Sequence, residues 1–357
     1  MKYLDLRNKL IKNSTLTYTS VISKSKIFGQ GDVTSTSIPA INTALSGSIF
    51  GGLSAGILQI AGPSKHFKSS LGLLLIKAYF DAHPNAILLF YDNEFGTKRS
   101  YINSFDIDEE RIVHSPITDV EQLKHDIVVQ LDGLEREDEV FIFIDSIGSL
   151  ASKKEASDAL SGKEAADMTR AKQIKSLSRI ITPHLAIKDI PCVIINHTYQ
   201  TQETYSKTVV SSGTGIYYSS NDIWVIGRQQ DRDKDTKEVY GYDFVINVEK
   251  SRSVQEKSKI PLSVSYERGI EKYSGLLDLA IEGNYVTKVS KGKHGMFLQR
   301  VDATTGELLG EPVKQSTNEF SKAFWEPILT ETKFPIWIEN KYKLPSVNMV
   351  QEEKEKK

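Results

Sequence analysis

The chain alternates short apolar runs with stretches of helical periodicity, and this pattern restricts its fold more than any other feature. The runs lie at residues 57–60, 86–91, 140–144, 192–195, 223–226 and 244–248. Residues 71–80 and 123–134 have the apolar spacing of helices, and Thr118 with Glu121 has the pattern of a capping box that opens the second helix. Uninterrupted apolar strands are buried on both faces, as in a parallel sheet covered by helices. The sequence therefore predicts an α/β fold with a mainly parallel sheet flanked by helices.

The length allows one large core with smaller attachments, since the chain has 357 residues, 39% of them hydrophobic. Residues 1–30 are predicted to be an appended basic segment, residues 31–275 the core, and residues 276–357 a small C-terminal domain with a charged tail. No apolar run approaches the roughly 18 residues of a membrane span, and the N-terminus lacks the apolar core of a signal peptide. We therefore expect a soluble cytoplasmic protein with no membrane partner.

Charge and cysteine content exclude some classes of site. Lys and Arg number 45 against 46 for Asp and Glu, so nucleic-acid binding would have to come from local surfaces rather than from net charge. Cys192 is the only cysteine and lies in an apolar run, which favours a buried thiol and excludes disulfides and a zinc site.

A phosphate-binding loop is predicted where the apolar run 57–60 leads into a helical pattern. This segment, called the P-loop below, consists of Gly62, Pro63, Ser64, Lys65, His66, Phe67, Lys68, Ser69 and Ser70. Backbone N–H groups at a helix N-terminus bind phosphate, a lysine reaches the outer phosphates and a hydroxyl ligates magnesium, roles that suit Lys68 and Ser69. Phe67 replaces the usual glycine, so we expect a negative φ there. Alone, the motif leaves an ordinary strand-to-helix turn open.

Two carboxylates at predicted strand ends favour the P-loop interpretation. Asp145 follows five apolar residues downstream of the loop, where an aspartate would hold hydrated magnesium. Glu94 follows the preceding strand and could activate a water molecule, although a helix cap or surface residue is the alternative.

The order of motifs resembles the RecA family of recombinases, and in particular its branch in T-even-like phages. The resemblance extends over about residues 38–277 and is carried by AGPSK at 61–65, FYDNEFG at 90–96, ASKKE at 151–155, DMTRAK at 167–172, INHTY at 195–199 and VEKSR at 248–252. This branch also tolerates Phe67 in the P-loop. The resemblance implies a RecA-like P-loop ATPase core with a short N-terminal assembly segment.

The resemblance also implies roles for individual residues. Lys68, Ser69 and Ser70 would hold the phosphates and magnesium, Asp145 the hydrated metal, and Glu94 the attacking water. Tyr101 matches an adenine-stacking position, while spacing alone favours a packed core aromatic. His197 matches a polar residue that senses the γ-phosphate; a structural histidine is the alternative.

Residues 152–164 and 198–220 correspond to the family's two DNA-binding loops and fit neither helix nor strand, so a surface connection is the alternative. The candidate DNA-binding residues are Lys153, Lys154, Tyr199, Lys207, Gly213 and Gly215. Lys250 and Arg252 match cations that reach the ATP of the neighbouring protomer; solvated charges at a strand end are the alternative.

The implied function is ATP- and Mg²⁺-dependent DNA strand exchange by a helical filament of copies of this chain, in recombination, recombination-dependent replication and repair. The implied partners are single-stranded DNA, homologous duplex DNA, a single-stranded-DNA-binding protein and a recombination mediator protein. A phage origin would place it in the host-cell cytoplasm. A hexameric helicase motor stays open, as does a DNA-binding filament that does not hydrolyse ATP, although Glu94 argues against the latter.

Overall fold

The structure is a computed structural model that describes residues 2–29, 31–162, 168–200, 208–211, 213–232, 239–265 and 269–345. In chain order its helices are α1 Lys2–Lys12, α2 Pro39–Ser46, α3 Lys68–Ala82, α4 Arg99–Ser104, α5 Val120–Gly133, α6 Lys153–Leu160, α7 Thr169–Lys188, α8 Gly213–Ser219, α9 Leu276–Glu282, α10 Gln315–Asn318, α11 Lys322–Glu331 and α12 Phe334–Tyr342. Its strands are β1 Gly56–Ala61, β2 Ile87–Asp92, β3 Ile112–Pro116, β4 Val140–Asp145, β5 Pro191–Asn196, β6 Thr198–Gln200, β7 Thr208–Val210, β8 Asp222–Arg232, β9 Val239–Lys250, β10 Lys259–Ser265, β11 Gly269–Ile270, β12 Val286–Ser290, β13 Met296–Val301 and β14 Leu308–Lys314.

The chain forms two compact units: Met1–Thr34 with Leu53–Ile223, and Ser35–Gly52 with Trp224–Lys357. The division predicted from composition cuts the chain at residues 30 and 275, whereas each of these units combines two separate stretches of sequence. The predicted division stays a prediction. In the part of the chain that the structure describes, no helix is long and apolar enough to cross a membrane.

The first unit contains parallel strands in the order β1-β5-β4-β2-β3. Every residue of β1, β4 and β5 is buried, which explains why these strands are continuous apolar runs. Helices α5 and α7 cover one face with Leu123, Ile127, Ile174 and Ile181 in the core cluster. The predicted α/β fold with a mainly parallel sheet is confirmed.

The second unit contains strands of a different kind. The order is β11-β10-β9-β8, with β9, β10 and β11 antiparallel, and a separate antiparallel sheet runs β12-β13-β14. Helix α2 packs into this unit with seven of its eight residues buried. Strands β8 and β9 carry the apolar runs 223–226 and 244–248, which belong to this unit except for Ile223, the last residue of the first unit.

Two local predictions are wrong. The cap of α5 is Asp119, whose side chain accepts a hydrogen bond from Gln122 N at 2.8 Å, so the predicted pair Thr118 and Glu121 is displaced by one residue. Residues 153–160 are not irregular but form α6, opened by a capping box of Ser152 and Glu155, while 163 and 164 lie outside the described residues. Residues 198–220 likewise contain the hairpin β6–β7 and helix α8, while 201–207 and 212 lie outside the described residues.

Candidate functional site

The candidate site lies at the carboxyl ends of the parallel strands of the first unit. The register places Asp92 of β2 beside Asp145 of β4, and Ala61 of β1 beside Asn196 of β5. Side chains that follow these strands therefore meet at one edge of the sheet, where ligands of open α/β sheets bind.

The P-loop connects β1 to α3, and two of its residues have left-handed backbone conformations. Phe67 has φ 59° and Lys65 has φ 60°, so the negative φ expected at Phe67 is wrong. The chain accepts this conformation although it costs a non-glycine residue about 1–2 kcal/mol. Phe67 precedes α3 without a side-chain capping bond, which leaves the first N–H groups of the helix available to an anion.

Lys68 is buried and its ammonium donates to the carbonyl oxygen of Pro63 at 2.8 Å, across the P-loop. Burial lowers the pKa of Lys68, while the charges of Glu94 and Asp145 act in the opposite direction. The ammonium thus lies inside the loop where a phosphate oxygen could replace the carbonyl as its partner.

Ser69 and Asp145 form a hydroxyl–carboxylate pair. Ser69 Oγ donates to Asp145 Oδ2 at 2.7 Å, while the buried Oδ1 of Asp145 has no hydrogen-bond partner among the described residues. Burial raises the pKa of Asp145 to about 6, opposed by the hydrogen bond from Ser69. An unsatisfied buried carboxylate oxygen beside a hydroxyl fits a hard cation such as Mg²⁺, which prefers oxygen ligands.

Glu94 Oε1 is the centre of a hydrogen-bonded cluster. It lies 2.8 Å from His197 Nε2, accepts a hydrogen bond from Ser149 Oγ at 3.1 Å and accepts another from Ser146 Oγ. The hydrogen bond with His197 is the largest cause that lowers the pKa of Glu94 to about 2. Asp92 fixes the backbone below this side chain, since its Oδ1 accepts from the N–H groups of Glu94 and Phe95, at 3.0 and 2.8 Å.

His197 is packed against the turn that follows β4. A Cβ added to Gly148 would lie 2.6 Å from Cδ2 of His197, so only glycine fits there. The neighbouring Asn196 donates to Gln59 Oε1 of β1 at 2.9 Å and to the carbonyl oxygen of Ser211 at 3.0 Å. This buried amide pair ties the strand before the P-loop to the segment after β7.

Tyr101 lies beside the P-loop helix, since its hydroxyl is hydrogen-bonded to Ser70 Oγ. Its side chain is about one-third exposed and its ring contacts Phe105 edge-on. A fully packed core aromatic is therefore excluded, whereas adenine stacking stays a prediction.

The candidate DNA-binding residues are dispersed. Lys154 pairs with Asp158 within α6, and Tyr199 is 55% exposed on β6. Gly213 has φ 76° and open space around it, but a Cβ on Gly215 would meet Lys175 at 2.5 Å, so Gly215 is needed for packing on α7. Lys153, which opens α6, donates its backbone N–H to Glu121. Lys207 lies outside the described residues.

Lys250 ends β9 and the exposed Arg252 follows it, both in the second unit. Their predicted role at a neighbouring protomer's ATP stays a prediction.

Sequence reasoning missed three residues that hold the cluster around Glu94. Ser146 and Ser149 contact the carboxylate, and Arg170 donates to backbone carbonyls of the turn that contains them. The position of Ser146 directly after Asp145, the aspartate predicted to hold hydrated magnesium, was a usable signal. Arg170 lies in the DMTRAK motif at 167–172, but nothing in the sequence shows that the start of α7 meets the end of β4.

Comparisons with known proteins indicate the family of the chain. Residues 273–336 match the family described as the C-terminal domain of the bacteriophage T4 recombination and repair protein. Over 345 residues the chain is 46% identical to the recombination and repair protein of Enterobacteria phage T4, covering 96% of this chain and 87% of that protein. A crystal structure of the RadB recombinase aligns with 64% of this chain and 95% of its own at 16% identity and a TM-score of 0.46, too distant a likeness to carry an argument.

The match to the phage T4 protein decides one of the alternatives left open by the sequence, the hexameric helicase. The high identity extends over nearly the whole chain and is to a recombination protein, which supports recombination and not a hexameric helicase. The chain therefore belongs to the family of the recombination and repair protein of phage T4.

Proposed function

We propose that this recombinase is a DNA-dependent, magnesium-dependent ATPase that assembles on single-stranded DNA and exchanges it with a homologous duplex. The observation that carries the proposal is the meeting of Lys68, the Ser69–Asp145 pair and Glu94 at one edge of the sheet. These groups would supply a cation that binds the phosphates, a metal site and a carboxylate base, at the ends of β1, β4 and β2.

The chain's own residues account for nucleotide binding. The N–H groups at the start of α3 and the Lys68 ammonium would hold the phosphates of ATP, while Ser69 and Asp145 would hold magnesium. Bound Mg²⁺ would neutralise charge that develops on the transferred phosphoryl group. Tyr101, next to Ser70, is proposed to support the adenine ring.

Glu94 is proposed to orient the attacking water and accept its proton. In the arrangement described, His197, Ser146 and Ser149 all contact one oxygen of Glu94, and its pKa of about 2 makes the carboxylate a weak base. A base is most effective when its pKa is near the working pH. Loosening of these contacts would raise the pKa of Glu94, and DNA binding could control hydrolysis at this point.

The proposed partners follow from the family and from the exposed surface. Single-stranded DNA would lie along α6 and the segment around β6, where Lys153, Lys154 and Tyr199 are located. Lys207, Gly213 and Gly215 belong to the same proposal. Lys250 and Arg252 would complete the ATP site of the next protomer in a filament. A single-stranded-DNA-binding protein and a mediator protein are proposed as accessory partners.

The test is phosphate release with and without single-stranded DNA. We expect DNA to stimulate the wild-type chain, and Lys68→Ala to remove turnover because it removes the cation nearest the phosphates. Lys77→Ala, on the exposed side of the same helix, is the matched control and should keep wild-type turnover. Turnover by Lys68→Ala at the wild-type rate would refute the P-loop assignment.

Glu94→Gln tests the base separately. The amide is nearly isosteric but cannot accept a proton, so nucleotide and DNA binding should persist while turnover falls by about 10²–10⁴-fold. Normal turnover in this variant would place the base elsewhere.

A further inference from the structure

Arg170 joins the two ends of the segment that contains α6. Its Nε donates to the carbonyl oxygen of Leu150 at 2.6 Å, and its Nη2 donates to those of Ile147 and Gly148 at 2.9 and 2.7 Å. Leu150 lies just before α6 and Arg170 is the second residue of α7, so these bonds close the base of the segment between them. A displacement of α6 must therefore act on this clamp.

The turn held by Arg170 is also the turn that contacts the base and its partner. Ser146 and Ser149 donate to Glu94, and Ser149 Oγ lies 3.0 Å from His197 Nε2. Gly148, whose carbonyl Arg170 binds, lies against the His197 ring. The position of this turn thus fixes the contacts that hold Glu94.

The clamp uses properties specific to arginine. The guanidinium is half-buried and burial lowers its pKa, opposed by the charge of Glu155 at the start of α6. Its planar fork binds three carbonyl oxygens from fixed directions, whereas a lysine ammonium on a flexible stem cannot reproduce that set. The three bonds leave the turn little freedom relative to α7.

We propose that Arg170 is a positioning residue that couples α6 to the Glu94 carboxylate through the turn at residues 146–150. DNA bound along α6 moves the base of the segment, Arg170 carries that displacement to the turn, and the turn changes its contacts with Glu94 and His197. This inference rests on the proposed function, because it needs hydrolysis that responds to DNA. The inference assigns the response of hydrolysis to DNA to the side chain of Arg170.

The test compares Arg170→Lys and Arg170→Gln with Arg111→Lys in the full chain. Arg111 is the matched control, since its half-buried guanidinium also donates to three backbone carbonyls, those of Phe80, His83 and Ala86, among residues that precede β2. With saturating DNA, kcat of the Arg170 variants should fall by about 10-fold, the effect of losing one hydrogen bond to a charged group, while KM for ATP and DNA affinity stay unchanged. Arg111→Lys should keep the wild-type stimulation by DNA.

Hydrogen exchange gives a second measurement, which does not depend on turnover. We expect single-stranded DNA to change amide exchange across residues 146–151 together with that of α6, and Arg170→Lys to abolish the change at 146–151 only. Unchanged exchange of this turn while DNA protects α6 would overturn the proposal. The proposal would also be overturned if the Arg170 and Arg111 variants lost the stimulation of hydrolysis by DNA equally, or if Arg170→Lys kept that stimulation. If wild-type hydrolysis does not respond to DNA at all, the proposed function itself fails and this inference with it.

Discussion

Gly72 of α3 lies against the ring of Phe143 on β4, so a methyl group at this position should disturb both stability and the metal site. A Cβ on Gly72 would lie 2.5 Å from Cε2 and 2.7 Å from Cζ of Phe143. Ordinary carbon contacts are about 3.5–4.0 Å, so helix and ring must separate by about 1 Å. Phe143 is fully buried and stacked on Phe90 at a centroid distance of 5.3 Å, which leaves the ring no free space.

The expected cost of Gly72→Ala follows from two opposing contributions. Overpacking of a filled core costs about 1–3 kcal/mol, whereas alanine is favoured over glycine inside a helix by about 1 kcal/mol. We therefore expect the free energy of unfolding to fall by up to about 2 kcal/mol. Movement of α3 by about 1 Å would also break the 2.7 Å hydrogen bond between Ser69 and Asp145, so KM for magnesium–ATP should rise.

Denaturant unfolding and ATPase kinetics of matched variants check this reasoning. Gly133→Ala is the control, because Gly133 ends α5 with nothing within 4 Å of the added Cβ, and it should stabilise by about 0.5 kcal/mol. Phe143→Leu should restore part of the stability and the ATP affinity of Gly72→Ala, which a double-mutant cycle measures. Equal effects of the two glycine substitutions, or no coupling to Phe143, would refute the argument.

The remaining predictions concern the base and the protomer interface. Gly148→Ala would place a methyl group 2.6 Å from the His197 ring and should lower kcat with little change in nucleotide binding; wild-type kcat would show that the position of His197 does not matter. The double variant Lys250→Ala/Arg252→Ala should bind nucleotide without hydrolysing it, and an equal mixture with Lys68→Ala should recover about a quarter of wild-type turnover, because about one interface in four is then complete. A mixture that stays inactive while co-filaments form would refute the composite site.

The sequence predicted strands correctly where every residue of the strand is buried. The runs at 57–60, 140–144 and 192–195 became β1, β4 and β5 because every residue of these strands is buried. Strand β3 was missed because it lies at the edge of the sheet with mostly half-buried or exposed residues, so its apolar run is short. Helix α6 could have been found, since Ser152 and Glu155 have the spacing of a capping box.

The site was predictable where it depends on strand order and not where it depends on tertiary contacts. Asp145 and Glu94 follow parallel strands, whose carboxyl ends must meet at one edge. The sign of φ at Phe67 was wrong because the usual glycine position requires left-handed backbone whatever residue occupies it. The clamp by Arg170 joins residues 20 or more positions apart and has no local pattern.

The division of the second unit into two sequence segments has a consequence for biosynthesis. Helix α2 leaves the ribosome early, yet the rest of its unit begins only at Trp224. The hydrogen bond from Ser48 to Glu339 of α12 cannot form until nearly the whole chain has been synthesised. The ribosome adds about 5–20 residues per second, so the apolar face of α2 is without its native neighbours for about 10–35 seconds. The first unit also contains no residues beyond Ile223 and could mature earlier. A nascent chain stalled before residue 224 should therefore bind chaperones through α2. A rearranged chain in which the segment Ser35–Gly52 directly precedes Trp224 should shorten that exposure.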